Sequence, residues 1–274
     1  MSKPTARDRF QAEVQKPDAE IDLAAAALYL AQEEYPHLNC EACLKTLDVM
    51  AAELHNRLPE SRYPMKVIRA MNQYLFDELG FRGNTRDYYD PRNSFLNEVL
   101  ARRTGIPITL SLVYLELANR VGFPMAGVGM PGHFLLRPTV DEMAVFVDAF
   151  HGGDILFEED CRDRLKQLYG EAAELQSTHL NTIGPRPFLV RMLTNLKGIY
   201  LHRQDTTRTL AAIDRILIVM PDATIERRDR GLIHYRMGQL EAARDDLTAY
   251  LSAHPDAYDA FEIQQVLSQI RRVQ

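Results

Sequence analysis

GIPITLSLVYLELANRVGFP fills residues 105–124, MAGVGMPGHFLLRP fills 125–138 and AVFVDAFHGG fills 144–153. The order helix, strand, strand within this stretch decides the fold. Gly105 closes one helix, and Pro107 suits the first turn of the next, where its missing N–H costs little. Leu110, Val113, Leu117 and Val121 recur at helical spacing over 109–121, and Gly122 ends the run. The pattern then changes to short, β-prone pieces broken by Gly and Pro. In GHFLLR, His133, Leu135 and Arg137 fall on one face and Phe134 and Leu136 on the other; in AVFVDAF, Val145 and Val147 alternate with Phe146 and Asp148. These two pieces are expected to be antiparallel neighbours joined through PTVDEM (138–143). A short strand over 155–157 and a helix over 158–169 follow. The expected fold class is α+β, predominantly helical, with a helix packed on a small antiparallel sheet.

Upstream, apolar spacing predicts helices over 21–34, 41–58 and 65–79, the last capped by Gly80. Cys40 and Cys43 form a C-x-x-C near His37, but with no second ligand pair in view they read as two cysteines on a helix. Residues 83–94, GNTRDYYDPRNS, are polar and turn-rich. Asn93 or Ser94 is expected to cap the helix through SFLNEVLARRTG, and Asn93 is kept as a candidate binding residue.

Downstream, an offset of 34 aligns Tyr200 with His234, Leu217 with Leu251, and Pro221-Asp222-Ala223 with Pro255-Asp256-Ala257. That is the tetratricopeptide period. In the second unit Ala243 holds the small-residue position of the helix crossing, Gly238 the turn and Pro255 the end. The first unit is weaker, with Thr209 in place of the alanine and Gln204 in place of the glycine. The last helix is expected to cap the stack. The domain boundary is placed between residues 175 and 176, with N-terminal helices and core over 1–175 and helical repeats over 176–274.

The 274 residues carry 32 basic and 38 acidic side chains, a net charge of −6, without the basic footprint of a nucleic-acid binder. The apolar stretch at 23–30 is too short to span a bilayer, and the acidic start does not resemble an export signal. Three cysteines suggest no disulfide framework. A cytoplasmic protein is expected, with no membrane or nucleic-acid partner, no cofactor and no metal.

His133 and Asp148 on adjacent strands can meet. A carboxylate beside an imidazole fixes its tautomer and stabilises its charged form, which prepares a base for a thiol or hydroxyl nucleophile. His151 could extend this polar site, or bind a metal with Asp154. Thr109 and Ser111 lie in the first turns of the 109–121 helix, where the helix dipole favours a developing anion; Ser111 sits about 6 Å further along the axis than Pro107. Cys161, on a separate acidic helix, is a remote substitute.

The order of these elements resembles the transglutaminase-like, papain-related core. The resemblance places the family's histidine on His133, its aspartate on Asp148 and its catalytic cysteine on Pro107, which has no nucleophilic side chain. The wording YYDPRNSFLNEVLARRTGIPITLSLVYLELANRVGFP, GVGMPGHFLLR and FVDAFHGG is similar to the SirB family of bacterial proteins, which join such a segment to tetratricopeptide repeats. The resemblance runs from about residue 20 onward and implies a fold rather than a settled reaction. Two functions are expected from it. One is a non-catalytic adaptor that binds a protein or peptide through the repeats. The other is a hydrolase or acyltransferase using His133 and Asp148 with a displaced Ser111 or an activated water.

Overall fold

The structure, a computed structural model, describes residues 4–140 and 144–273. The chain divides into two compact units, Met1–Phe188 and Leu189–Gln274. The first unit opens with α1 (Ala6–Val14), α2 (Leu23–Glu34), α3 (Cys40–His55) and α4 (Pro64–Asn72). Each start has a local cause. Thr5 closes a capping box with Asp8, and Asp22 and Asn39 accept from Ala25 N and Ala42 N at 2.8 and 3.1 Å. Pro64 occupies the first turn of α4.

The helix expected over 65–79 is α-helical only to Asn72. It continues as a π turn over Gln73–Glu78, where Leu79 N reaches Tyr74 O, and ends at Gly80 with φ +73°. Next come β1 (Arg82–Gly83), α5 (Leu96–Arg102) and β2 (Thr104–Gly105), with β1 and β2 paired in parallel. Asn93 and Ser94 do not cap α5. They lie in a 3-10 turn, Pro91–Ser94, capped by Asp90, and the N-cap position of α5 is Phe95.

Helix α6 (Pro107–Arg120) follows, and every residue from Pro107 to Ala118 is buried. It packs against α3, α5 and the first strands of the sheet. The sheet contains β3 (Met125–Val128), β4 (Leu135–Pro138), β5 (Phe146–Asp148) and β6 (Asp154–Leu156). Then come α7 (Glu158–Tyr169) and β7 (Thr182–Ile183); the strand order is β6-β5-β4-β3-β7, all antiparallel. The expected pairing of β4 with β5 is present, with Leu136 opposite Val147. Of the PTVDEM connection, residues 141–143 lie outside the described residues. His133 does not open a strand, as its place in GHFLLR suggests; it lies in the turn ahead of β4, held by His133 N donating to Met130 O at 3.0 Å. Cys161 and Leu165 of α7 form a buried cluster with Val128, Leu135, Phe146 and Leu156.

The division between units falls later than the boundary expected at 175/176. β7 extends the sheet beside β3, and Phe188 packs edge-on to Phe134 at 5.0 Å, so both stay with the first unit.

The helices of the second unit are the end of α8 (Pro185–His202), α9 (Thr206–Val219), α10 (Thr224–Arg236), α11 (Leu240–Ala253) and α12 (Ala260–Val273). Ala243 is fully buried in the helix crossing, as its place in the repeat requires. Thr209, its counterpart, is also buried and returns its hydroxyl to Asp205 O at 2.8 Å. Leu247 and Tyr250 of α11 pack with Ile263, Leu267 and Ile270, so the final helix caps the stack. Arg230 joins three helices by ion pairs to Asp214 at 2.8 Å and Asp246 at 2.7 Å.

The turn position of the repeat explains a backbone outlier. Gly238 has φ +74°, and Gln204, 34 residues earlier, is left-handed at φ +58°. A side chain there costs about 1–2 kcal/mol that glycine avoids, partly offset by the extra freedom glycine has when unfolded. Gln204→Gly is therefore expected to stabilise the protein by up to ~1 kcal/mol, read as a raised urea midpoint; an unchanged or lowered midpoint would contradict this account.

Candidate functional site

The site is built around one carboxylate. Asp148 ends β5 with no solvent exposure. Its Oδ1 caps the turn Ala149–His151, accepting from Phe150 N at 3.0 Å and His151 N at 3.3 Å. Its Oδ2 lies 2.6 Å from His133 Nε2 and 2.7 Å from His151 Nδ1. The same oxygen is ion-paired with Arg164 Nη1 from α7. Arg164 also reaches Asp154 Oδ2 at 3.3 Å, and burial lowers its pKa from the usual arginine value. A buried carboxylate requires such partners, because an unpaired charge out of water is far too costly.

The turn behind Asp148 is fixed from a distance. Gly153 N donates to Asp148 O at 2.8 Å, and Asn72 Nδ2 donates to Gly153 O at 2.6 Å. A Cβ on Gly153 would collide with the Asn72 amide, and φ there is +82°, so only glycine fits. Tyr114 of α6 completes the link by donating to Asn72 Oδ1 at 3.0 Å.

His133 and His151 border a cleft of about 440 Å³ whose other walls include Tyr88, Pro107, Phe150 and Arg164. Pro107 therefore stands in the cleft that holds the imidazole. Ser111 does not. It is fully buried and its Oγ has no hydrogen-bond partner. One turn further along α6, the side chain faces the packed interior rather than the cleft. Thr109 is committed elsewhere, donating to Asn93 O at 2.7 Å and accepting from Ile106 N at 3.1 Å.

Asn93 lies behind this arrangement and is fully buried. Its amide donates to Asp87 O at 2.8 Å and Tyr88 O at 3.2 Å, while its oxygen accepts from Asn84 at 3.1 Å. It shapes the loop that brings Tyr88 to the cleft and does not itself line it. His151 does not pair with Asp154; its ring bonds to Asp148 instead. Cys161 is buried, and desolvation pushes its thiol up to about 11, unlike a reactive thiolate. Burial also raises Cys40 and Cys43, which lie in the first turn of α3.

Arg164, Asn72, Tyr88 and Gln167 belong to the site or its support, and sequence reasoning does not find them. Only Arg164 leaves a signal. It lies three residues beyond the buried Cys161 and directly before the buried Leu165, at the edge of the apolar face of α7.

Fold and site together define a transglutaminase-like protein with a tetratricopeptide tail. The family described as Transglutaminase-like superfamily matches residues 41–194, and Tetratricopeptide repeat matches 196–268. A UPF0162 protein of Xylella fastidiosa is 39% identical over 246 residues, covering 88% of this chain and 87% of its own. One from Vibrio cholerae is 30% identical, covering 82% and 81%. The chain belongs to the UPF0162 family. It is also similar to human F-box only protein 21, at 33% identity over 66% of this chain and 28% of that protein. No solved structure matches the chain.

Asp148→Asn removes the charge that Arg164 faces while keeping the shape. The expected loss is about 3–5 kcal/mol, the cost of breaking a buried pair from one side. Urea denaturation checks it, and a loss below about 1 kcal/mol would mean the pair is solvated in solution.

Proposed function

We propose that this protein is a non-catalytic, SirB-type member of its family that works in the cytoplasm as a protein-interaction or adaptor module through its repeats. The observation that carries this reading is Pro107, a residue without a nucleophile, in the wall of the cleft beside His133. The buried position of Ser111 supports it, since no hydroxyl from that helix turn reaches the cleft. Tetratricopeptide repeats generally bind proteins, and α11 and α12 border a groove of about 410 Å³ that includes Thr248, Ser252, Leu267 and Ser268. In human F-box only protein 21 the matched stretch is 28% of a longer chain, as suits a module. No helix among the described residues is long and apolar enough to cross a membrane.

The second reading, a hydrolase or acyltransferase, draws on one observation. His133 and Asp148 hydrogen-bond at 2.6 Å beside an accessible cleft, where an activated water could replace the missing side chain.

One experiment separates these readings, and another tests the placement of Pro107. Proximity labelling in cells is expected to give a partner set that Ser252→Arg/Ser268→Arg abolishes and His133→Ala leaves intact; the opposite dependence would overturn the adaptor reading. Separately, Pro107→Cys is expected to gain labelling by iodoacetamide, slowed ~10-fold or more when His133 is also replaced by Ala. No labelling would show that Pro107 does not occupy the nucleophile position.

A further inference from the structure

Three atoms able to ligate a metal ion, His133 Nε2, His151 Nδ1 and Asp148 Oδ2, converge at the edge of the cleft. Three nitrogens meet Asp148 Oδ2, from His133, His151 and Arg164. An imidazole nitrogen at 2.6–2.7 Å from a carboxylate must carry the hydrogen. Arg164, which can only donate, adds a permanent positive charge beside the imidazoles. Oδ1 is already occupied by two backbone N–H groups, so Oδ2 is the oxygen turned toward the two imidazoles.

A metal ion could take the place of the imidazole hydrogens. Both imidazoles would then present lone pairs, and Oδ2 would be the third ligand. We infer that His133 Nε2, His151 Nδ1 and Asp148 Oδ2 form a binding site for a divalent first-row transition metal ion of the zinc type. The three atoms lie within 4.8 Å of one another. Bonds of about 2.0–2.1 Å would bring them to about 3.4 Å apart in a tetrahedral shell, within reach of small side-chain rotations. Two imidazoles and one carboxylate suit zinc, cobalt or iron and disfavour calcium or magnesium.

Arg164 holds the cation's place until a metal enters. Its Nη2 is already 3.3 Å from the half-exposed Asp154 carboxylate, which offers the guanidinium somewhere to go when the ion arrives. His151 is 47% exposed at its side chain and borders the cleft, so an ion has an entry path and an open position for water. The open position would be filled by water, and only binding is inferred. The site goes beyond the adaptor reading and does not depend on it, because metal affinity is measured without partner or turnover.

The test is titration of the chelator-stripped full chain with Co2+, followed by absorption, and with Zn2+ by calorimetry. One equivalent is expected. His133→Ala and His151→Ala should each weaken binding ~10-fold or more. Arg164→Gln should bind more tightly than the wild type, and Cys40→Ser/Cys43→Ser should leave the affinity unchanged. Binding that survives both histidine replacements, or depends on the cysteines, overturns the proposal. So does the absence of saturable binding by both the wild type and Arg164→Gln at millimolar metal. His151 is exposed enough that its replacement should leave the fold intact, which circular dichroism verifies.

Discussion

One buried negative charge organises the first unit. Asp148 is fully enclosed, so its carboxylate must be matched by donors from every direction. Two backbone N–H groups of the following turn, two imidazoles and a guanidinium answer that requirement. Each partner is then fixed by its own neighbours. The turn depends on Gly153, which yields space to Asn72; Asn72 in turn is held by Tyr114 of α6. α7 brings Arg164 to the charge while burying Cys161 and Leu165 against the sheet. Helix, sheet and loop thus meet at one carboxylate.

Much of this is legible in the sequence. The apolar spacing of α6, the alternation in β4 and β5, and the meeting of His133 with Asp148 follow from periodicities that short stretches display. The 34-residue repeat is legible because the Pro-Asp-Ala turns recur and Gly238 marks the bend. Other features have no local signature. β1, β2 and β7 are two residues long, too short to show a period. The π turn at Gln73–Glu78 has the composition of an ordinary helix. Asn72 reaches Gly153 across 81 residues, a contact that linear spacing cannot reveal.

Ser111 shows where spacing misleads. Four residues is close to one helical turn, so Ser111 and Pro107 share a helix face. Sharing a face is not sharing an environment. The cleft reaches Pro107 at the helix start, and one turn further in the same face is covered by packing. Asn93 illustrates the complementary case: its amide suits a helix cap, but both ends are used to hold the loop carrying Tyr88.

The cluster is a poor device for stability alone. Burying ions costs several kcal/mol each, and well-packed apolar residues of similar volume often serve a fold equally well. Here the charge is not hidden in the middle of the core. It lies under a cleft that its partners border, and two imidazoles converge on its Oδ2. A site that only held strands together would have no need of the cleft, and a cysteine-dependent site would have no use for Pro107. An arrangement that retains polarity at the cleft without the nucleophile is better explained by something that binds there, and two imidazoles converging with a carboxylate favour a compact cation.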